Sequence, residues 1–229
     1  QYNTWMEFTY APTEEGVLEY AQAIVDNGFT PGILIIDEGW HKPYGDWTFD
    51  RAKFQHPKEM IEKLHALGFR VMLWVVPYVT SSGVNFISRI RKDLNPESYS
   101  RSFMRNESGQ PIIMNWWNGY SAVLDLTVPA AARWFDEQAD RLMAAYGIDG
   151  FKMDAADPEY YPDGFVFSDG SQRSFQAKKW AEIGAKYAYN ELRAGFNAGW
   201  LPVANRLRDK NHSWTADGLN TLVPDGLAM

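Results

Sequence analysis

The sequence predicts a parallel β/α barrel. Three observations carry this: short apolar runs alternate with amphipathic segments along the chain, several runs end in a polar residue followed by a long loop, and no glycine-rich phosphate turn follows the first run. Strands alternating with helices build parallel sheets. Polar strand ends feeding long loops belong to a barrel mouth, and the missing phosphate turn argues against a doubly wound sheet. Six strands can be read where a closed barrel needs eight. The expected architecture is therefore an α/β, TIM-type (β/α)8 barrel truncated after about six units, with residues 1–229 as a single incomplete domain.

Tyr2 to Phe8 reads as the first strand. Thr13 to Asn27 reads as a helix, with Thr13 as N-cap and Gly28 as the stop. The run from Gly32 to Asp37 is a short apolar strand ending in an acid, as for a strand covered on both faces. Lys58 to Leu67 places Met60, Ile61, Leu64 and Leu67 on one helical stripe, closed by Gly68. Arg70 to Val76 is a third strand, stopped by Pro77. Ser121 to Leu126 is read as the fourth, after which Pro129 opens a helix to about Ala145. Asp149 to Met153 is the fifth, Ser174 to Ala194 a helix, Leu201 to Leu207 the sixth strand, and a last helix starts at Leu219. The loops over 38–57 and 77–120 are long, and the second suggests a functional insertion or lid.

A net charge of −7 without a Lys/Arg block argues against nucleic acid as a partner, and no run is apolar enough to span a bilayer. The absence of cysteine excludes disulfides and thiol chemistry and leaves the compartment open. The four histidines lack metal-ligand spacing, so neither a metal site nor a cofactor is expected. Ten Trp, twelve Tyr and thirteen Phe fit either a large aromatic core or a sugar site, where flat rings meet the C–H faces of pyranosides.

The candidates for chemistry cluster at predicted strand ends. In Gly147-Ile-Asp-Gly-Phe-Lys-Met-Asp154, Lys152 and Asp154 fall on one face of a strand, because side chains alternate. A carboxylate beside a lysine stays ionised, which suits a nucleophile. Asp37-Glu38-Gly39-Trp40 supplies two acids for vicinal hydroxyls with Trp40 as a stacking wall, or else a turn acid and a core Trp. Trp74 is read as core or as ligand contact. Of Trp116 and Trp117, one ring is expected to be packed and the other open to ligand. Asp125 ends the fourth run or caps the next helix. Arg206 and Trp214 precede Asp217, which is either a helix N-cap or the second carboxyl of a glycosidase pair. Trp214 and its apolar neighbours would keep that carboxyl protonated.

Taken in order, these motifs resemble the catalytic barrel of glycoside hydrolase family 31 over nearly all 229 residues. Gly45-Asp-Trp-Thr-Phe-Asp50 is similar to the Asp-Phe-Thr-Phe-Asp signature after the second strand, and Gly68-Phe-Arg-Val71 follows in the family's order. Val123-Leu-Asp-Leu-Thr127 with Pro129 matches its fourth-strand pattern. Phe151-Lys-Met-Asp-Ala155 resembles the nucleophile strand, and Trp214-Thr-Ala-Asp217 the acid/base segment, although the family's usual Gly-Asp is here Ala-Asp. The resemblance implies a retaining exo-α-glycosidase, with Asp154 as nucleophile, Asp217 as acid/base and Asp37 on the sugar hydroxyls. Asp37-Glu-Gly-Trp40 with Lys152-Met-Asp154 is also similar to the Asp-Asp-Gly-Trp and Lys-x-Asp pairs of α-galactosidase families 27 and 36, which tilts the implied sugar toward galactose over glucose. The expected partner is a glycoside or oligosaccharide. The family's N-terminal β-sandwich, last two strands and C-terminal domains are absent from these residues, so strands from elsewhere or an oligomer partner are expected to close the barrel. A non-catalytic carbohydrate-binding barrel is the alternative.

Overall fold

The computed structural model describes residues 1–80, 102–161, 164–167, 170–193, 195 and 197–228. Its centre is a five-stranded parallel sheet ordered β1 (Tyr2–Asn3), β2 (Ile33–Ile36), β3 (Arg70–Val75), β7 (Gly150–Met153) and β8 (Tyr189–Leu192). Helices α2 (Glu14–Asp26), α3 (Pro57–Ala66), α4 (Pro129–Tyr146) and α5 (Arg173–Gly184) follow β1, β2, the insertion after β3, and β7. The architecture is a truncated β/α barrel.

The apolar runs become strands because both faces are covered: Leu34, Ile35 and Ile36 in β2 and Val71 to Trp74 in β3 are fully buried. Helix α2 begins where Thr13 accepts the Gly16 N–H at 3.1 Å. Helix α3 turns Met60, Ile61 and Leu64 inward; their burial contributes about 1.5–3 kcal/mol per side chain before entropy is counted. At the N-terminal end of the sheet, Asp149 accepts the Val71 N–H at 2.8 Å and meets His65 at 2.7 Å, tying β7, β3 and α3 together. A Cβ at Gly150 would lie 1.7 Å from the Tyr189 carbonyl oxygen, so only glycine lets β7 and β8 pair here.

Four elements differ from the sequence expectation. The first strand covers only Tyr2–Asn3, and the chain then coils into a one-turn helix α1 (Trp5–Phe8) once Thr4 has donated to Ile35. The run expected as the fourth barrel strand is β6 (Gly119–Val123), which pairs antiparallel with β4 (Tyr78–Thr80) and β5 (Ile113–Trp116) in a separate sheet, while β7 pairs directly with β3. An apolar run specifies a strand but not its partner. The helix expected to reach Ala194 stops at Gly184, and Tyr189–Leu192 becomes β8. The expected sixth strand at 201–207 contributes one parallel bridge, Leu192 to Asn205. The expected final helix is present as α6 (Leu222–Ala228) after a short 3-10 turn. The long loop at 77–120 thus carries a three-stranded sheet, and its residues 81–101 lie outside the described set.

Candidate active site

The C-terminal ends of β2, β7 and β8 converge on one cavity of about 540 Å³. At its floor, immediately after β7, lies Asp154, 6% exposed. Its Oδ2 accepts the Trp74 indole N–H at 2.7 Å, and its Oδ1 accepts the Ala155 N–H at 2.9 Å and an Arg206 N–H at 3.3 Å. Arg193 stands 3.7 Å away. Burial pushes this carboxyl up, but Lys152, Arg206, Arg193 and the Trp74 hydrogen bond outweigh it, and it is held below the usual carboxylate range. Ala155 and Ala156 follow in the left-handed region, at φ 55° and 62°. Trp180 holds this turn by donating to the Asp154 carbonyl at 3.1 Å. Two such non-glycine residues after a carboxylate store backbone strain at the site.

Lys152 pairs with Asp37, at 2.6 Å, rather than with Asp154 itself. Both are buried, so the pair survives only because each charge meets the other. Glu38 turns from Asp37 toward the insertion sheet. Its Oε1 accepts Tyr44 O–H at 2.6 Å and Asn118 N–H at 2.9 Å, and its Oε2 accepts the Trp117 indole N–H at 3.1 Å. Burial pushes the Glu38 carboxyl up to about 7, against the lowering effect of Tyr44 and Trp117. The turn at Gly39 (φ 99°) admits no side chain, since a Cβ would lie 2.5 Å from the Tyr10 carbonyl oxygen.

Two guanidinium groups complete the floor. Arg193 also faces Asp157 at 3.4 Å, lies over the Trp117 ring at 5.1 Å and meets Tyr160. Arg206 joins Glu191 at 3.4 Å and Asp209 at 2.9 Å. Burial pushes the Asp157 carboxyl up to about 6 despite Arg193.

Of the residues singled out from sequence, Asp37, Glu38, Trp117, Lys152, Asp154 and Arg206 line this cavity. Trp40 and Trp74 are fully buried: Trp40 donates to the Trp74 carbonyl at 2.8 Å, so it is a core ring and not a stacking wall, and Trp74 faces the nucleophile candidate from behind. Trp116 is packed, its indole on Ser121 at 3.1 Å, while Trp117 is 38% exposed. Asp125 belongs to neither sheet and caps its own turn by accepting the Thr127 N–H at 3.1 Å. Trp214 is 80% exposed, Asp217 is exposed, and neither lines the cavity. The apolar surroundings expected for Asp217 are not there. Sequence reasoning missed Asn3, Trp5, Met6, Tyr10, Tyr160, Arg193 and Asp209, all of which line the cavity. Arg193 was hidden by the overlong helix; the glycine at 184 was the available stop signal. Among the described residues no cluster of His, Asp or Glu is arranged to hold a metal ion, and no helix is long and apolar enough to cross a membrane.

The glycosyl hydrolases family 31 TIM-barrel domain matches residues 2–205. The chain belongs to glycosyl hydrolase family 31. It is 33% identical over 232 aligned residues to the mouse myogenesis-regulating glycosidase, covering 100% of this chain and 31% of that protein. It is 24% identical to the alpha-xylosidase XylQ of Lactiplantibacillus pentosus, over 67% of this chain and 19% of the relative. A bovine lysosomal alpha-glucosidase is 31% identical over 53% of this chain and 13% of its own length. The fold also appears in solved structures: the Trueperella pyogenes cycloalternan-degrading enzyme in complex with isomaltose superposes with a TM-score of 0.73 at 20% identity, over 93% of this chain and 34% of that one. A family 31 sulfoquinovosidase from E. rectale gives 0.73 at 18% identity, over 89% and 32%. The chain thus spans at most about a third of each of these relatives. The family match covers the Asp37, Glu38 and Asp154 constellation and stops short of Arg206 and Asp217.

Proposed function

We propose that this chain is the catalytic barrel of a retaining exo-α-glycosidase that releases a terminal α-linked hexose, galactose ahead of glucose. One observation carries the reading: a buried carboxylate, Asp154, held ionised at a barrel strand end and fixed through both oxygens. Asp154 attacks the anomeric carbon as the glycosidic bond breaks, giving a covalent glycosyl intermediate that water then cleaves. Asp37 and Lys152 present a carboxylate and an ammonium to the sugar hydroxyls, and Trp117 gives its ring face to the sugar's C–H face. Asp217 protonates the leaving oxygen and later deprotonates the water; its support is the Trp214 to Asp217 motif. The preference for galactose rests on Asp37-Glu38-Gly39-Trp40 and Lys152-Met153-Asp154.

The exposed position of Asp217 favours a second reading, a carbohydrate-binding barrel without turnover. Kinetics on the full-length protein separate the two. Asp154→Asn should abolish release from aryl α-galactosides and α-glucosides. Asp217→Ala should cost much less with an activated dinitrophenyl leaving group than with a sugar aglycone, because the former departs without a proton. Full activity in both variants eliminates the catalytic reading, and sugar binding without turnover by the unmodified protein establishes the second.

A further inference from the structure

Glu38 sits in the cavity, yet most of its acceptor capacity is spent inside the protein. Of about four lone-pair positions on a carboxylate, three are taken, by Tyr44, Asn118 and Trp117. Among the described residues no ion pair joins it to a cation. Two of its three donors, Trp117 and Asn118, are the two-residue tip of the β5–β6 hairpin, where Trp116 pairs with Gly119. The hairpin belongs to the insertion sheet and Glu38 to the end of a barrel strand, so these bonds fasten one to the other. The Trp117 ring is gripped on its other sides as well: edge-on against Trp116 at 4.8 Å, near Tyr160 at 5.5 Å, and beneath the Arg193 guanidinium at 5.1 Å.

We propose that Glu38 is a positioning residue that latches the β5–β6 hairpin tip over the barrel mouth and so fixes the Trp117 indole as the aromatic wall of the sugar subsite. It acts through Trp117, not by contact with the reacting atoms. The proposal deepens the glycosidase reading and rests on it for the word sugar, but the latch itself is a property of the resting protein. All three partners donate, so the ionised carboxylate is the form that satisfies them together. A glutamine turns an N–H toward one of these donors, and an aspartate keeps the charge but falls one methylene short.

The test uses the full-length protein labelled with 15N-tryptophan, together with aryl α-galactoside and α-glucoside kinetics. The Trp117 indole resonance is the one lost in Trp117→Phe. Glu38→Gln and Glu38→Asp should both shift that resonance and speed its hydrogen exchange. Each should raise KM about tenfold while lowering kcat less than about threefold, the signature of lost binding rather than lost chemistry. Trp117→Phe, which keeps a ring but cannot donate, should raise KM by itself, and Glu38→Gln added to it should raise KM no further, because both remove one interaction. An unmoved Trp117 resonance in Glu38→Gln overturns the latch, whatever the kinetics. So do independent, multiplying effects of the two substitutions, or a Glu38→Asp protein indistinguishable from the parent. A parent protein that turns over neither glycoside defeats the glycosidase reading, and the resonance then decides the latch alone.

Discussion

Replacing Trp74 by Phe tests the site at its most constrained point. The indole donates to Asp154 Oδ2 at 2.7 Å with both groups buried, and the substitution removes that donor while leaving the Trp74 carbonyl to receive Trp40. A hydrogen bond to a charged group contributes about 1.5–3 kcal/mol. At about 1.36 kcal/mol per pH unit, its loss corresponds to one to two units. A water entering the space left by the indole returns part of this, so about one unit is expected. The sign follows from what the bond favours: it stabilises the ionised carboxyl, so its removal lets the pKa rise. The acid limb of kcat/KM, which reports the free enzyme's essential groups, should move to higher pH by about one unit. The plateau should fall about tenfold, because Oδ1 alone then orients the proposed nucleophile. The assay is the pH dependence of aryl α-glycoside hydrolysis from pH 3 to 8 on the full-length protein, at a temperature where melts show the variant folded. An acid limb that stays in place while the protein remains folded would refute the assignment of that limb to Asp154.

Three further outcomes follow from buried groups. Lys152→Met should destabilise by about 3–5 kcal/mol, since it strands the Asp37 charge, and Lys152→Met with Asp37→Asn should recover most of the loss in denaturant midpoints. His41 is buried among Trp40, Tyr44, Trp47 and Trp74, and burial lowers its pKa from 6.5 to about 4. A depressed folded pKa gives stability that is present above the unfolded value and lost as pH falls. His41→Phe should therefore remove about 3 kcal/mol of pH dependence between pH 6.5 and 4 in urea titrations. At Ala156, fully buried at φ 62°, glycine should stay within about 1 kcal/mol of the parent, because relief of strain offsets added chain entropy. Valine there should cost at least about 2–3 kcal/mol in thermal melts.

Where one local rule decides the outcome, the sequence is readable. Period-two alternation alone puts Lys152 and Asp154 on one face, and both line the cavity. The apolar runs at 32–37 and 70–76 became β2 and β3 within a residue or two. Where long-range pairing decides, it is not. Ser121 to Leu126 has the composition of a barrel strand, but its backbone partners are β4 and β5. A local clue existed, since Asn118-Gly119 after an apolar run is a hairpin signal and Gly119 takes φ 90°. The alternation of strands with helices along the rest of the chain points the other way. Trp40 shows the complementary limit: adjacency to two acids says nothing about which way a ring points, and this ring is buried with its N–H on the Trp74 carbonyl. Asp217 is legible only through the motif that contains it.

Charge around the cavity narrows what it can accept. Its lining carries Asp37, Glu38, Asp154 and Asp209 against Lys152, Arg193 and Arg206, one negative charge in excess when all are ionised. Each cation is already engaged, Lys152 by Asp37, Arg193 by Asp154 and Asp157, Arg206 by Asp154, Glu191 and Asp209. An anionic sugar would have to displace one of these carboxylates and lose a buried pair. A neutral hexose leaves these pairs intact. The oxocarbenium-like transition state of glycoside cleavage gains positive charge, and an ionised Asp154 at the cavity floor favours it over the neutral ground state. Burial pushes the Glu38 carboxyl up to about 7, and above that pH its ionised form satisfies the three hairpin and loop donors together. Protonation of Glu38 loosens the Trp117 wall, so sugar binding should tighten as pH rises through 7, read as a falling KM with the full-length protein.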